Sequence, residues 1–124
     1  FFVCGSGDET DGTPLETLAH PQSRRVMSAE NAALLREMLC QVVEEGTAQD
    51  AAWLEEGAGG KTGTAQTGQF TPDGTERKNL WFAGFYPAQQ PRYTIVVLQD
   101  GQVSTEHSSA AIFARLCAML DLLA

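Results

Sequence analysis

Two apolar segments, separated by a short connection that contains two prolines, constrain the fold of this chain more than any other feature. The first segment spans residues 80–86, is rich in aromatic side chains and is closed by Pro87. The second spans residues 93–98, is rich in β-branched residues and ends before the turn signal Asp100-Gly101. Both segments favour β-strands. Because the second segment is apolar at almost every position, it predicts a strand that is covered on both faces.

A helix is predicted on each side of these strands. Ser28 is a suitable N-cap for the first helix, and Gly46 supplies its C-terminal stop. The second helix closes the chain and should pack on the sheet, because one of its faces is apolar. The apolar positions are Leu34, Leu35, Met38, Leu39, Val42 and Val43 in the first helix, and Ile112, Phe113, Leu116, Cys117, Leu120 and Leu123 in the second.

A third strand completes the predicted sheet. The glycine-rich residues 57–60 predict a sharp bend, the threonine-containing residues 61–66 favour a strand, and residues 68–78 predict a polar loop. The predicted fold class is therefore α+β, with a helix, a three-stranded antiparallel sheet and a C-terminal helix packed on the sheet. Residues 1–27, which are rich in Gly, Asp, Thr and Pro, predict an N-terminal arm or hairpin. Residues 28–124 are predicted to form a single C-terminal subdomain.

Composition excludes several classes of function. The chain of 124 residues has a formal charge of -8 and only eight Lys and Arg residues, which argues against nucleic acid as a partner. No run approaches the roughly 20 apolar residues that span a bilayer, so any export signal or anchor is expected outside this chain. The three cysteines have no metal-binding spacing, so we predict no cofactor and no metal. Cys40 and Cys117 are expected to be small buried apolar residues.

The segment around Lys61 invites comparison with a phosphate-binding loop. Gly60-Lys61-Thr62 matches the end of that motif, but Glu55 stands where its first glycine is required. Residues 63–68 are also poorly suited to open the helix whose N-terminus must hold the phosphate. Nucleotide binding is therefore disfavoured.

As a strand, the same segment is suited to bind a carboxylate. Side chains alternate along a strand, so Thr62 and Thr64 project to the same side, where two hydroxyl groups could hold the acid group of a ligand. Lys61 adds a positive charge that attracts a carboxylate and could favour the deprotonated form of a neighbouring catalytic group. Gly63 has no side chain, which permits close approach of a substrate to the backbone. The alternative is that these residues merely form an edge strand of small side chains.

Lys-Thr-Gly is typical of penicillin-binding proteins and class A β-lactamases. Here the similarity extends from Gly46-Thr47-Ala48 through residues 60–66 (Gly-Lys-Thr-Gly-Thr-Ala-Gln) to residues 81–87 (Trp-Phe-Ala-Gly-Phe-Tyr-Pro) and the apolar strand and helix that follow. This series, covering residues 26–122, resembles the C-terminal third of a class B penicillin-binding protein. The resemblance implies a partial β-lactamase/transpeptidase-like fold.

That resemblance also implies a function and a site. It implies D,D-transpeptidation in cell-wall synthesis through an acyl-enzyme, with peptidoglycan stem peptides and β-lactams as ligands. It places the Lys61 strand at the sheet edge beside a cleft, with Lys61 and Thr64 as catalytic residues and the Thr64 N–H as an oxyanion donor. Residues 62–64 would bind the substrate. The implied location is the extracytoplasmic face of the bacterial plasma membrane, with an N-terminal anchor outside this chain.

Two other motifs of that family are missing from this sequence. They are Ser-x-x-Lys, which carries the nucleophilic serine, and Ser-x-Asn. None of the six serines has lysine three positions later or asparagine two positions later. We therefore expect the nucleophile to lie upstream in a longer protein, whose upstream part is the partner of this chain, and we expect no activity of this chain alone.

Several alternatives remain open from the sequence. The chain could belong to a serine β-lactamase or a D,D-carboxypeptidase, or it could be a non-catalytic β-lactam-sensing module. Residues 92–99 lack the further strand that pairs with them in the family, which predicts a dimer through this open sheet edge or its coverage by the N-terminal arm. The aromatic residues of segment 80–86 are more typical of a core than of a substrate site, and Trp53 is expected to pack.

Overall fold

The structure, a computed structural model, describes residues 24–123 as a helix, a three-stranded sheet and a second helix. The elements are α1 (Ala29–Glu44), a 3₁₀ turn (Gln49–Ala51), β1 (Gly59–Phe70), β2 (Glu76–Tyr86), β3 (Tyr93–Gln102) and α2 (Ser109–Leu123). The strands are antiparallel in the order β1-β2-β3. The predicted α+β class and element order are confirmed. Most of the predicted arm, residues 1–23, lies outside the described residues.

Both predicted ends of α1 are confirmed. The Ser28 Oγ accepts a hydrogen bond from the Asn31 N–H at 3.2 Å, as an N-cap does. At the other end, a Cβ on Gly46 would lie 2.8 Å from the carbonyl oxygen and 2.9 Å from the Cα of Val42. Since real Cβ atoms do not approach backbone atoms so closely, the chain can fold back here only at a glycine.

The bend before β1 is tighter than predicted, and the strand is longer. The turn is closed by the Gly57 N–H, which donates to the Leu54 carbonyl at 3.0 Å, and Gly57 has a φ of +63°; β1 already begins at Gly59 rather than at Lys61. A Cβ on Gly59 would lie 2.2 Å from Phe85 Cζ, and a Cβ on Gly60 would lie 2.4 Å from Phe82 Cζ. These two glycines therefore serve the sheet, because aromatic rings from β2 pack directly over their backbone.

The predicted polar loop is also shorter in the structure. β1 extends to Phe70 and β2 begins at Glu76, so most of the segment 68–78 belongs to a β-hairpin. Its tip is closed by Thr71, whose N–H donates to the Thr75 carbonyl at 2.9 Å. The pairing of β1 with β2 continues almost to the tip, with a register irregularity between Gln66 and Phe70.

The core lies between one face of the sheet and helix α2. Phe82 on β2 and Phe113 on α2 are fully buried, with their ring centroids 4.8 Å apart. Ser109 ties three elements together: its Oγ accepts from Gln99 Nε2 on β3 and donates to the Leu80 carbonyl on β2, both at 2.9 Å. The buried core consists of Val43, Ala48, Ala51, Leu54, Ala58, Phe82, Tyr86, Val97, Ala110, Phe113, Ala114 and Cys117.

Two packing predictions are wrong for the part of the chain that the structure describes. Val97 of β3 is buried against α2, but Val96 and Leu98 on the opposite face are 58% and 44% exposed, so β3 is not covered on both faces. Trp53 is 57% exposed, while its neighbour Leu54 is buried. The apolar face of α1 is likewise only partly covered, since Val43 is buried but Leu34 and Met38 remain exposed.

Candidate functional site on the β1 edge strand

The predicted carboxylate-binding residues lie on β1, which forms one edge of the described sheet. Thr62 pairs with Phe82 and Thr64 with Leu80, so the two threonines share one face of the strand. Lys61 pairs with Ala83 and therefore starts on the opposite face. Thr64 is exposed and Thr62 is half-buried, which leaves both accessible from the edge.

Lys61 reaches across the strand despite its opposite orientation. Its Nζ donates to the Thr62 carbonyl at 2.9 Å and to Thr62 Oγ1 at 3.2 Å. The flexible four-carbon stem of lysine makes this crossing possible. The ammonium group is thereby placed beside the hydroxyl that was predicted to bind a carboxylate.

Thr47 is a site residue that sequence reasoning missed. It follows α1 and places its Oγ1 2.9 Å from Thr62 Oγ1. The only signal in the sequence was the triplet Gly46-Thr47-Ala48, which contributed to the family resemblance without any assigned role. Its contact with Thr62 depends on how α1 packs against β1, which no local pattern reports.

There is open space next to Gly63, on the face of β1 opposite to Thr62 and Thr64. A Cβ at this position would meet only Trp81 Cβ, at an ordinary contact distance of 3.5 Å. The core packing therefore does not require glycine here. This contrasts with Gly60 in the same strand, where the ring of Phe82 excludes any side chain.

The serines beside the helices have structural roles. Ser28 caps α1, and the Ser108 Oγ accepts from the Ala111 N–H at 3.1 Å at the start of α2. Ser108 also donates to the Asp50 carboxylate, and Ser109 is buried in the hydrogen bonds described above. These hydroxyl groups are committed to the fold.

The two described cysteines are not activated thiols. Cys117 is fully buried, as predicted, and burial raises the pKa of its thiol to about 12. Cys40 is half-buried, and its pKa is raised first by burial and then by the neighbouring Glu44 carboxylate. A reactive thiol requires the opposite shift, so neither group is a candidate nucleophile.

Residues 24–123 contain no cluster of three or more His, Cys, Asp or Glu side chains arranged to hold a metal ion. None of their helices is long and apolar enough to cross a membrane. A groove of about 720 Å³ runs beside α1, between side chains such as Glu37 and Cys40 and the segment Ala88-Gln89, and it does not include the β1 residues.

Comparison with known proteins identifies the family. A family model described as "Penicillin binding protein transpeptidase domain" matches residues 8–118. The chain is 39% identical over 101 residues to penicillin-binding protein PbpB of Mycolicibacterium smegmatis, covering 73% of this chain and 15% of that protein. It is 37% identical over 82 residues to a peptidoglycan D,D-transpeptidase FtsI homolog of Chlorokybus atmophyticus, covering 64% of this chain and 12% of that protein.

Solved structures agree with this assignment. Penicillin-binding protein 3 of Mycobacterium tuberculosis, solved in complex with ampicillin, superposes with a TM-score of 0.67 at 31% identity, covering 92% of this chain and 28% of that one. The chain thus belongs to the penicillin-binding protein transpeptidase domain family and corresponds to the C-terminal part of a class B domain. It spans less than a third of the length of each of these relatives. The fold is the corresponding part of the transpeptidase fold.

Proposed function

We propose that this chain supplies the Lys-Thr-Gly strand of the substrate site in a serine-type D,D-transpeptidase, acting within a longer protein that cross-links peptidoglycan and is acylated by β-lactams. The observation that carries the proposal is the Lys61 Nζ, which lies 3.2 Å from Thr62 Oγ1 on an accessible edge strand. A cation and a hydroxyl group at this spacing are suited to bind the carboxylate that stem peptides and penicillins share.

The charge of the chain makes Lys61 decisive for such binding. With a formal charge of -8, the chain as a whole repels an anionic ligand, and its only lysines are Lys61 and Lys78. A hydrogen bond from a hydroxyl group to a carboxylate contributes about 1.5 to 3 kcal/mol. Thr62 and Thr64, on one face of β1, would each supply such a bond next to the ammonium group.

The backbone of β1 would stabilise the reaction's anionic intermediate. The Lys61 Nζ bonds the Thr62 carbonyl at 2.9 Å, which supports a carbonyl directed away from β2 and towards the free edge. Backbone groups alternate with a period of two, so the Thr64 N–H would face the same edge. Losing one oxyanion donor typically costs about 3 to 4 kcal/mol of transition-state stabilisation.

The nucleophile in this proposal comes from the upstream part of the same domain. Its serine would attack the carbonyl of the terminal peptide bond of a stem peptide and expel the terminal alanine, and the acyl group would then pass to an amine acceptor, which frees the serine. With a β-lactam, the ring C–N bond would break instead and the acyl-enzyme would persist. The exposed Leu34 and Met38 on α1, and Val96 and Leu98 on β3, support this arrangement because they offer apolar surface to such a partner. We place the assembled enzyme on the extracytoplasmic face of the plasma membrane, where its peptidoglycan substrate lies.

The test is the intact mass of this chain and of the complete reading frame after incubation with excess penicillin. The proposal expects one stable penicilloyl adduct on the complete protein and none on this chain. An adduct on the 124-residue chain would mean that a nucleophile within it is reactive, which contradicts the proposal. The absence of an adduct from both would indicate a non-catalytic module.

A time course separates the related enzymes. An adduct that hydrolyses within minutes, with accumulation of penicilloic acid, would indicate a β-lactamase. For a D,D-carboxypeptidase, a stem pentapeptide would lose its terminal alanine without forming a cross-link when an acceptor amine is present. A transpeptidase would instead yield the cross-linked product with the amine.

A further inference from the structure

We infer that Thr47 is a positioning residue that directs the hydroxyl hydrogen of Thr62 towards the bound carboxylate. This inference rests on the proposed function and assigns a role to a residue outside the Lys-Thr-Gly strand. It starts from the contact between the two hydroxyl oxygens, which are 2.9 Å apart although the residues are 15 positions apart in the chain.

Counting donors and acceptors around Thr62 Oγ1 defines the role. A threonine hydroxyl donates one hydrogen bond and accepts up to two. The Lys61 ammonium can only donate, so it occupies one acceptor position of Thr62 Oγ1. If Thr47 donates as well, both acceptor positions are filled and the single hydrogen of Thr62 is free to point at a ligand.

The ligand selects this arrangement over the reverse one. A carboxylate accepts hydrogen bonds and cannot donate them. If Thr62 donated to Thr47, its hydrogen would point away from the ligand, and the carboxylate would face an oxygen lone pair. Binding therefore favours Thr47 as donor, and Thr47 is itself an exposed residue.

The backbone on both sides of Thr47 holds it in place. Ala48 is fully buried, and its N–H donates to the Val42 carbonyl at 3.1 Å. On the other side, Gly46 lies against the backbone of Val42 so closely that no Cβ fits. The hydroxyl of Thr47 is thus presented to Thr62 from a rigid turn, as a positioning residue requires.

The test compares acylation of the complete protein by a penicillin and by the methyl ester of the same penicillin. Thr47→Val removes the hydroxyl at nearly constant shape, Thr47→Ala removes it with a smaller side chain, and Thr47→Ser keeps it. We expect Thr47→Val and Thr47→Ala to lower the second-order rate constant for the acid roughly threefold to tenfold, the range of one hydrogen bond. The rate constant for the ester and the Thr47→Ser variant should stay within about twofold of wild type.

The ester separates positioning from general structural damage. A variant that slowed the acid and the ester equally would assign Thr47 a structural role and overturn the inference. Thr62→Val serves as the reference for loss of the ligand-binding hydroxyl. If wild type is acylated and Thr62→Val is impaired while Thr47→Val is not, only the role of Thr47 is overturned. If wild type itself is not acylated, the proposed function fails, and the inference is overturned with it.

Discussion

At the candidate site, the position of a charged group depends on the length of its side chain as well as on the face of the sheet from which that side chain starts. Lys61 begins on the face opposite to Thr62, yet its Nζ lies 3.2 Å from Thr62 Oγ1. A shorter side chain could not make this crossing, so the charge would remain on the far face. The alternation of side chains along a strand predicts the face from which each residue starts. The length of the lysine side chain decides where its ammonium group lies.

Thr62→Val in the complete protein tests the carboxylate-binding role at this scale. We expect the rate constant of acylation by a carboxylate-bearing penicillin to fall by roughly 10- to 150-fold, because a hydrogen bond to a charged group is lost. Thr75→Val is the matched control, since Thr75 is exposed at the tip of the hairpin, beyond the far end of β1 from Thr62. Equal rates for Thr62→Val and wild type would contradict the role.

Two glycine substitutions should separate a glycine that the fold requires from one that it does not require. A Cβ on Gly84 would lie 2.6 Å from Phe82 Cε1 and 2.8 Å from the Gly59 carbonyl, so Gly84→Ala should lower the free energy of unfolding by about 1 to 3 kcal/mol. Gly63→Ala meets no such contact and should leave this free energy within about 0.5 kcal/mol of wild type. Urea denaturation of the chain measures both. A destabilised Gly63→Ala would show that this position also serves the fold.

At the scale of elements, buried apolar contacts and buried hydrogen bonds hold α2 against the sheet. Phe113 packs on Phe82, and Ser109 links β2 to β3 through its hydroxyl. The hydroxyl of the buried Tyr86, at the end of β2, donates to the carboxylate of Asp121 in the last turns of α2. The helix is thus held at both ends, which keeps Cys117, in its middle, away from water.

The burial of Cys117 predicts a pH dependence of stability. Its thiol has an ordinary pKa of 9.0, which burial raises to about 12 in the folded chain. As the pH rises above 9, the unfolded chain loses this proton first, so the folded state becomes relatively less stable between about pH 9 and 12. The substitution Cys117→Ala removes the thiol and its contribution to the pH dependence. The unfolding free energy of this variant should therefore decline less steeply with rising pH than that of wild type.

Denaturation series at pH 7.5, 9.5 and 10.5 would measure this difference. Cys117→Ala should be less stable than wild type at neutral pH, because a smaller side chain leaves a void in the core. The gap between the two proteins should then narrow as the pH rises. Parallel profiles would mean that the thiol ionises equally well in the folded and unfolded states.

The approximate positions of the helices and strands were predictable from the sequence, but the way in which they pack was not. The ends of α1 follow from the Ser28 cap and from Gly46, which are local features. β1 begins at Gly59, earlier than the local sequence predicts. The reason is that aromatic rings of β2 pack over the backbone of Gly59, and this contact is not visible in the local sequence. The predicted loop 68–78 is mostly hairpin for a similar reason, since pairing with a partner strand overrides a polar composition.

At the scale of the whole molecule, the described sheet has two open edges and one bare face. β1 and β3 each pair with β2 only, and Val96 and Leu98 are exposed on the face away from α2. Open edges with apolar side chains favour pairing with another strand. The upstream part of the domain would supply that cover in the proposed longer protein.

Taken alone, the chain is expected to associate through this surface. We predict a concentration-dependent dimer in sedimentation velocity, and Leu98→Lys should shift it towards monomer because a charge on an edge strand opposes pairing. Leu122→Lys is the control, since Leu122 is also exposed but lies at the end of α2. A monomeric wild type with fast amide exchange from Thr94 to Leu98 would count against pairing at this edge.

The sequence by itself determined the element order, the bounds of α1, the strand that carries Lys61 and the family resemblance. Each of these depends on neighbours within a few positions or on a motif that can be read directly. Only the tertiary structure decided that Thr47 meets Thr62, that rings of β2 occupy the space above Gly59 and Gly60, and that one face of β3 is bare. These contacts join residues far apart in the chain, so they follow from strand register and helix packing.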